Sequence, residues 1–355
     1  MKIGDLKYLF GFFGVPYIVM ISLVSVGYWS FFAPVIAFVA IPTLEQILPR
    51  KKRNHTEEAE TSKLSNRFFD FLLYLNLPIQ FGMLFYFLYL VTYGNLSDIE
   101  LIGKTISMGI GCGILGINVA HELGHRTKKY EQAMAKTLLL SSLYMHFFIE
   151  HNRGHHKNIG TPIDPASSKL NEPVYIFWFR SIFGSYFSAL HLEKLRLERL
   201  GSKAWSLKNE MLQFGILQIL FIAAIAIIFS PFTVLYFLAA AAVGILLLET
   251  VNYIEHYGLR RREIEPGLYE KVKPTHSWNS EHILGRVMLY ELTRHSDHHF
   301  KANRKFQILR YFEESPQLPL GYPASMVVAM VPPLWFLIMN RRIKRISLEE
   351  VIVVS

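Results

Sequence analysis

The stretch "ISMGIGCGILGINVAHELGH", from Ile106 to His125, is an apolar segment that ends in two histidines. An apolar run of about 20 residues is long enough to cross the hydrocarbon core of a bilayer as a helix. His121 and His125 are four residues apart, so both lie on one face of that helix. The stretch therefore predicts a membrane helix that carries paired imidazoles to one side of the membrane.

The whole chain has the composition of a membrane protein. Of its 355 residues 18% are charged, below the roughly 25% that is usual for soluble domains, and the mean hydropathy is +0.25. A further apolar stretch, 324–339, is interrupted by Pro332 and Pro333, and we expect a packed or interfacial helix there. We predict an all-α integral membrane protein with one membrane-embedded domain over residues 1–355. Its six predicted transmembrane helices are about 10–28, 31–48, 68–93, 99–120, 212–229 and 232–253.

Basic residues predict the orientation. Lys2 and Lys7 precede the first span, "PRKKRNH" follows the second, "HRTKKY" follows the fourth, and "RRIKR" lies near the C-terminus. With both termini inside, every basic cluster faces the cytoplasm, as the positive-inside rule expects. The cytoplasmic segments are then 121–210 and 254–355. Topology and anionic lipid account for most of the net charge of +9, and we expect no nucleic-acid partner.

Nine of the 14 histidines fall into four short windows. His121 and His125, His151 and His155, and His295 and His299 are each four residues apart, and His295 and His298 are three apart, so each pair can share a helix face. All windows lie at or beyond the predicted cytoplasmic ends of spans. One ion takes about four to six donors, so nine imidazoles predict two ions, and imidazole suits Zn, Cu, Fe and Ni. The nine are His121, His125, His151, His155, His156, His256, His295, His298 and His299.

The other five histidines are isolated, and we expect surface or packing roles for them. They are His55, His146, His191, His276 and His282.

Two local motifs point elsewhere. "HELGH" matches H-E-x-x-H, the zinc site of metalloproteases in which the glutamate is the general base. An intramembrane zinc protease would leave seven histidines unexplained, so it stays a remote alternative, and Glu122 is expected to be structural or to support a ligand. "GCGILG", 111–116, matches a dinucleotide motif but lies inside an apolar span. We expect Gly109, Gly113 and Gly116 to pack against a neighbouring helix instead.

Taken together, "HELGH", "EHNRGHH", "TPIDPASS", "NYIEHYGL" and "RHSDHH" resemble the motifs of the bacterial integral-membrane alkane 1-monooxygenases. That family belongs to the histidine-rich membrane diiron enzymes, which include fatty acid desaturases and the xylene methyl hydroxylase. The resemblance covers Gly109 to Met326 well, and before it the match is one of hydropathy more than of sequence. "NYIEHYGL" is its most specific part.

The resemblance implies a diiron site on the cytoplasmic side, with two non-haem iron ions held by the nine histidines. It implies O₂-dependent hydroxylation of the terminal methyl group of alkanes to 1-alkanols, in a bacterial inner membrane. Electrons would come from rubredoxin, with rubredoxin reductase and NADH upstream. The chain has one cysteine, Cys112, and cannot itself supply the four that rubredoxin iron needs. A desaturase and a hydroxylase of another hydrocarbon, such as a xylene-type methyl group, remain alternatives.

Carboxylates near the ligands can accept imidazole N–H groups and orient the rings. Glu249 lies seven residues before His256 on the same helix face, with Asn252 between them, and could accept an imidazole N–H or belong to a proton route. An ionisable residue within a span is a functional hypothesis by default. The candidates by adjacency to a histidine window are Glu122, Glu150, Asp164, Glu255 and Asp297.

An alkane has no polar group, so the shape of an apolar channel must select it. At about 100° per residue, Ile110, Ile114 and Ile117 fall on the side of the fourth span that carries His121 and His125. On the sixth span, Ile245 and Leu238 continue the stripe of Glu249 into the bilayer. We expect these five apolar residues to line the channel.

Overall fold

The computed structural model describes residues 3–354, with side chains over 4–346. Lys2, which contributed to the predicted orientation, lies outside these residues. Within these described residues, six helices are long and apolar enough to cross a membrane, which confirms the predicted number. In chain order, spans 1 to 6 are Lys7–Val24, Gly27–Ile47, Arg67–Tyr93, Asp98–Gly124, Glu210–Ile228 and Pro231–His256.

Several span boundaries differ from the prediction by three or four residues: span 2 begins at Gly27 and not near 31, span 6 ends at His256 and not near 253, and spans 1 and 4 end at Val24 and Gly124 and not near 28 and 120. Span 1 ends at Val24 because the chain turns at Gly27, whose φ of +58° is a left-handed conformation that glycine adopts without a steric penalty. Span 4 continues to Gly124 because its polar end, including His121 and Glu122, is buried in protein.

Contacts between the span ends show how the six helices alternate. Lys7, at the start of span 1, pairs with Glu291 at 2.7 Å, and Asp70, near the start of span 3, lies 3.1 Å from Arg126, just beyond span 4. At the opposite end of the bundle, the hydroxyl of Thr92 in span 3 forms a hydrogen bond of 2.8 Å with the hydroxyl of Thr233 in the first turn of span 6. We call the end that holds His121 and His256 the histidine side; the starts of spans 1, 3 and 5 and the ends of spans 2, 4 and 6 lie there.

Spans 4 and 6 pack backbone to backbone. A Cβ on Gly244 of span 6 would lie 2.8 Å from Cβ of Cys112, and one on Gly109 would lie 2.4 Å from Cβ of Val243. Gly109 and Gly113 therefore face span 6, as the glycine spacing predicts. The third glycine differs, because Gly116 faces Ser141 and Ser142 instead. This contact lets the two histidine-bearing helices lie side by side.

In the part of the chain that the structure describes, three segments are π-helical: Ile36–Ala40 in span 2, Cys112–Asn118 in span 4, and His151–His155. A π-turn bonds residue i to i+5 and so holds one more residue than an α-turn. Side chains beyond it are rotated relative to the face that a regular helix would give them. Two of these segments precede or contain histidines of the predicted site.

The remaining chain packs around the histidine side as shorter helices and one hairpin. Within 324–339 one helix ends at Ala329 and the next begins at Pro332, and Trp335 packs against Tyr253 and Tyr257 of the span 6 end, so this stretch is packed as expected. The other helices of this part are Glu57–Ser65, Lys129–Leu140, Phe147–Glu150, His156–Asn158, Val174–Arg199, Ile283–Met288, His295–Phe300, Tyr322–Ala329 and Pro332–Val354. Short 3₁₀ turns are Ile3–Asp5, Pro274–His276 and Phe306–Ile308, and the antiparallel hairpin pairs Glu263–Glu265 with Leu268–Tyr269.

Candidate metal centre

All nine window histidines meet at the histidine side, and there they divide into two groups. Within each group one ligand atom from every residue lies within 4.8 Å of the others. The first group is His121, His125, His151, His156 and His298, and the second is His155, His256, His295 and His299. Spans 4 and 6 supply His121 and His256, His125 directly follows span 4, and the segments 151–156 and 295–299 supply the other six.

The spacing of the ring nitrogens fits metal binding. In the first group, Nε2 of His298 lies 2.9 Å from Nε2 of His121 and 3.1 Å from Nε2 of His156. In the second, Nε2 of His295 lies 2.8 Å from Nε2 of His299 and 3.3 Å from Nε2 of His256. Two nitrogens bound about 2.1 Å from one ion at adjacent positions are about 3.0–3.4 Å apart. Each group therefore has the spacing of a metal ligand set.

The protonation of the rings also suits metal binding. Burial lowers the pKa of His125 to about 3 and holds the pKa values of His151, His298 and His299 well below the usual range. These rings are therefore neutral near pH 7, and a metal binds the neutral imidazole through its free lone pair.

The pairing within windows differs from the predicted one. His151 pairs with His156, five residues later, at 3.1 Å, and not with His155, which belongs to the second group. The reason is the π-turn over His151–His155, which places residue i+5 rather than i+4 above residue i. His295 groups with His299 as expected, but His298 belongs to the first group. Each of these two windows thus contributes donors to both groups.

Asp164 orients one of the grouped histidines, His155, through a hydrogen bond to its ring. Its carboxylate lies 2.9 Å from Nδ1 of His155 and also accepts the hydroxyl of Ser167 at 2.6 Å. Burial alone would lower the pKa of His155, but the Asp164 carboxylate raises it. With Nδ1–H donated to Asp164, Nε2 of His155 is the nitrogen left for a metal.

The other candidate carboxylates lie in different surroundings. Asp297 accepts the backbone N–H of Arg310 at 2.8 Å and pairs with its guanidinium at 3.0 Å, so it anchors the helix His295–Phe300 rather than an imidazole. Glu249 accepts the hydroxyl of Tyr144 at 2.8 Å and lies 3.4 Å from the amide of Asn252, through which it reaches the site.

Glu122, the glutamate of "HELGH", is committed to structural contacts. It pairs with Arg126 at 2.7 Å and accepts the backbone N–H of Phe306 at 3.3 Å. A protease would need this carboxylate free beside a metal-bound water. The H-E-x-x-H motif here therefore supplies two histidines and an anchoring ion pair, not a general base.

An apolar cavity extends from the two histidine groups into the bundle. It contains about 980 Å³ of space including its opening, and its wall includes His121, His151 and His295 at one end. Of the predicted channel residues, Ile110 and Ile114 line it. The rest of the lining comes mainly from spans 1, 2 and 6 and from the segments that carry Met288 and Tyr322.

The remaining predicted channel residues lie away from this cavity. Ile117 is buried in the core, because the π-turn over Cys112–Asn118 rotates it off the stripe of Ile110 and Ile114. Leu238 is 40% exposed on the outside of span 6, and Ile245 packs against the core.

Span 6 meets the cavity along a different stripe, of which only Asn252 and Glu255 were predicted as site residues. Its members recur at helical spacing and include Glu255, so extending a stripe from Glu255 instead of Glu249 would have found them. They are Leu247, Leu248, Val251, Asn252 and Glu255.

A bundle of six membrane helices with two histidine groups at one end of an apolar cavity defines a histidine-rich membrane metalloenzyme. The profile of the fatty acid desaturase family matches residues 101–327, which include all nine histidines.

Individual relatives narrow this class. The chain is 41% identical to alkane 1-monooxygenase of Acinetobacter baylyi over 87% of its own length and 76% of that protein. It is 39% identical to alkane 1-monooxygenase of Ectopseudomonas oleovorans over 87% of its length and 77% of that protein. The hydroxylase component of xylene/toluene monooxygenase from Pseudomonas putida is 28% identical over 87% of the chain and 81% of that protein. The chain belongs to the alkane 1-monooxygenase family.

Proposed function

We propose that this protein uses O₂ to hydroxylate the terminal methyl group of alkanes, giving 1-alkanols. The observation that carries the proposal is the cavity, whose apolar wall ends at histidines of both groups. A chain without polar groups can enter such a cavity only end first, so its terminal carbon is the part that reaches the metal centre. The names of the relatives at 34–41% identity agree with this substrate class.

We further propose that each histidine group holds one non-haem iron ion. Nine neutral imidazoles suit iron among other metals, and oxygen activation requires a metal that changes oxidation state. The bound iron would supply the chemistry of oxygen activation and C–H cleavage. The protein positions the chain end with Ile110, Ile114 and the stripe of span 6, and the apolar lining of the cavity disfavours water.

Three residues that are not in the histidine groups support this chemistry. Asp164 keeps Nε2 of His155 free for the metal by accepting its Nδ1–H. Glu249 and Asn252 form a buried polar pair that opens onto the cavity, which suits a proton route toward the site. The side chains of Glu249 and Asn252 both belong to span 6 and lie one helical turn apart.

The electron donor in this proposal is rubredoxin, supplied by its reductase and NADH. Cys112 is the chain's one cysteine and is buried, so an iron–sulfur donor must be a separate protein. Exposed Lys157 and Lys301 lie one and two residues after the ligands His156 and His299. Positive charge at this position would attract an acidic donor to the shortest path to the metal.

We place the protein in the bacterial inner membrane, with both termini and the histidine side in the cytoplasm and the chain forming one catalytic domain. The basic clusters support this orientation. Arg50, Arg126 and Arg261 all lie beyond span ends on the histidine side.

The proposal is tested with purified protein, rubredoxin, rubredoxin reductase, NADH and a series of alkanes, with products identified by gas chromatography. We expect 1-alkanols that require O₂ and every protein component. Acyl chains converted to alkenes, with alkanes untouched, would make the protein a desaturase. Metal analysis should give about two irons per chain, and one zinc without iron would contradict the diiron proposal.

A further inference from the structure

Glu255 occupies a special place in the last turn of span 6. It directly precedes the ligand His256, it is 1% exposed, and it lies on the cavity wall with His295. Its neighbour on that wall is Tyr322, another polar side chain among apolar ones. A carboxylate in such surroundings needs a specific partner, because burying an unpaired charge is costly.

The carboxylate lies against one donor of the second group, His295, and stands outside the set of four residues whose ligand atoms all lie within 4.8 Å of one another. Oε2 of Glu255 lies 3.1 Å from Nε2 of His295, and the same nitrogen is 2.8 Å from Nε2 of His299 and 3.3 Å from Nε2 of His256. An oxygen and a nitrogen bound at adjacent positions of one ion, each about 2.1 Å from it, are about 3.0–3.4 Å apart. The spacing of Glu255 to His295 thus lies between those of His299 and His256 to the same nitrogen.

Three other buried carboxylates near the site have a cationic partner from the protein, whereas Glu249 and Glu150 have only uncharged hydrogen-bond partners. Glu122 pairs with Arg126, Asp297 with Arg310, and Glu281 with Arg294. Glu255 has no arginine or lysine within 4.0 Å among the described side chains, and its polar neighbours include the hydroxyl of Tyr322 and Nε2 of His295. A bound metal ion would supply the positive charge that these neighbours do not.

The two histidine groups are also unequal in number. The first offers five imidazoles and the second offers four. All of these donors are neutral when they bind a metal, so a carboxylate at the second group would add both a fifth donor and a negative charge. Mixed imidazole and carboxylate ligation is a common environment for non-haem iron.

We propose that Glu255 is the fifth ligand of the ion held by His155, His256, His295 and His299. The inference rests on the proposed function in so far as that function places an ion at the second group. It makes the two metal sites chemically distinct, one with imidazoles alone and one with four imidazoles and a carboxylate.

The test uses the purified, iron-loaded protein and two variants, Glu255→Gln and Glu255→Ala. The readouts are iron per chain and the Mössbauer spectrum, neither of which depends on turnover. For wild type we expect two quadrupole doublets of equal area. In Glu255→Gln one doublet should change while the other stays, and in Glu255→Ala the iron content should fall by about half because one site loses a ligand.

A matched control is Glu45→Gln. Glu45 is equally buried, in span 2, where its Oε1 accepts the backbone N–H of Gly285 at 2.8 Å, and an amide oxygen can accept the same bond. Its iron content and spectrum should equal those of wild type.

Two irons and an unchanged spectrum in both Glu255 variants would overturn the inference and leave the proposed function intact. A wild-type protein without iron would instead contradict the proposed function. If Glu255→Ala does not fold, the isosteric Glu255→Gln decides through its spectrum.

Discussion

The imidazole of a histidine has two nitrogens. The hydrogen bond that one nitrogen makes sets the tautomer and orientation of the ring, and so determines how well the other nitrogen binds a metal. His155 is the clearest example, because Asp164 accepts its Nδ1–H at 2.9 Å and is itself fixed by Ser167. The carboxylate and the ring are both almost fully buried, so water cannot replace this bond. The orientation of His155 therefore depends on Asp164.

The change Asp164→Asn should weaken the second metal site. An amide keeps the size but loses the charge that favours the correct ring tautomer, and loss of such a partner typically costs about 10–100-fold in metal affinity or activity. Iron retention against a chelator measures the effect. Asp98→Asn is the control, because Asp98 is exposed at the start of span 4 on the opposite side. Equal iron retention in both variants would contradict this role of Asp164.

Replacing any one of the nine grouped histidines by alanine should abolish hydroxylation, since each change removes a donor from a group of four or five. His55→Ala and His191→Ala should be harmless, because both side chains are exposed and lie outside the groups. Product formation in the reconstituted assay is the measurement. Full activity in His256→Ala would show that the site forms without the contribution of span 6.

Glu249→Gln should slow hydroxylation while iron content stays near that of wild type. Glu249 contacts Tyr144 and Asn252 rather than a histidine, so its effect should pass through proton delivery and not through metal binding. We expect a loss of about 10–100-fold in rate, the range typical of groups that act on proton transfer or ligand support. A wild-type rate would exclude the proton-route role, whereas loss of iron would assign Glu249 to ligand support.

At the scale of elements, the contact between spans 4 and 6 fixes the distance between the histidines at their ends. Gly244→Ala should disturb it, because the new Cβ would lie 2.8 Å from Cβ of Cys112 and 3.0 Å from the backbone nitrogen of Gly113. Overpacking of this kind costs about 1–3 kcal/mol, so the Tm in detergent should fall. Gly215→Ala in span 5 is the control, since nothing lies within 4 Å of its Cβ position. An unchanged Tm for Gly244→Ala would show that the helices can separate without cost.

The elements also show what the sequence could and could not predict. The six spans follow from apolar length, which the membrane requires directly, and the nine histidines stand out because no packing role gathers so many. The division of His151, His155 and His156 between the two groups could not be predicted, because the spacing argument assumed a regular α-helix with 3.6 residues per turn. It depends on a π-turn, as does the displacement of Ile117 from the cavity. Whether such a turn forms is decided by packing in the folded chain and not by local sequence.

At the scale of the whole molecule, the alternating spans predict opposite accessibility of their connections. In the proposed orientation, Asn95→Cys lies between spans 3 and 4 outside the cell membrane, and Thr127→Cys lies beyond span 4 in the cytoplasm; both positions are exposed. A membrane-impermeant thiol reagent should label Asn95→Cys in spheroplasts and Thr127→Cys only after lysis. The wild-type chain is a suitable background because Cys112 is buried. The reverse labelling pattern would invert the proposed topology.

Both histidine groups draw donors from far apart in the chain, and this sets the order of events during biosynthesis. Span 6 ends at His256, whereas His295, His298 and His299 follow it. At roughly 5–20 residues per second of translation, a nascent chain would spend several seconds with every span synthesised and both metal sites incomplete. A ribosome that stopped in this interval would release a membrane protein lacking one donor of the first group and two of the second. Metal insertion is therefore an event that follows the synthesis of the last span, and a truncated chain would reach the membrane without becoming a holoenzyme.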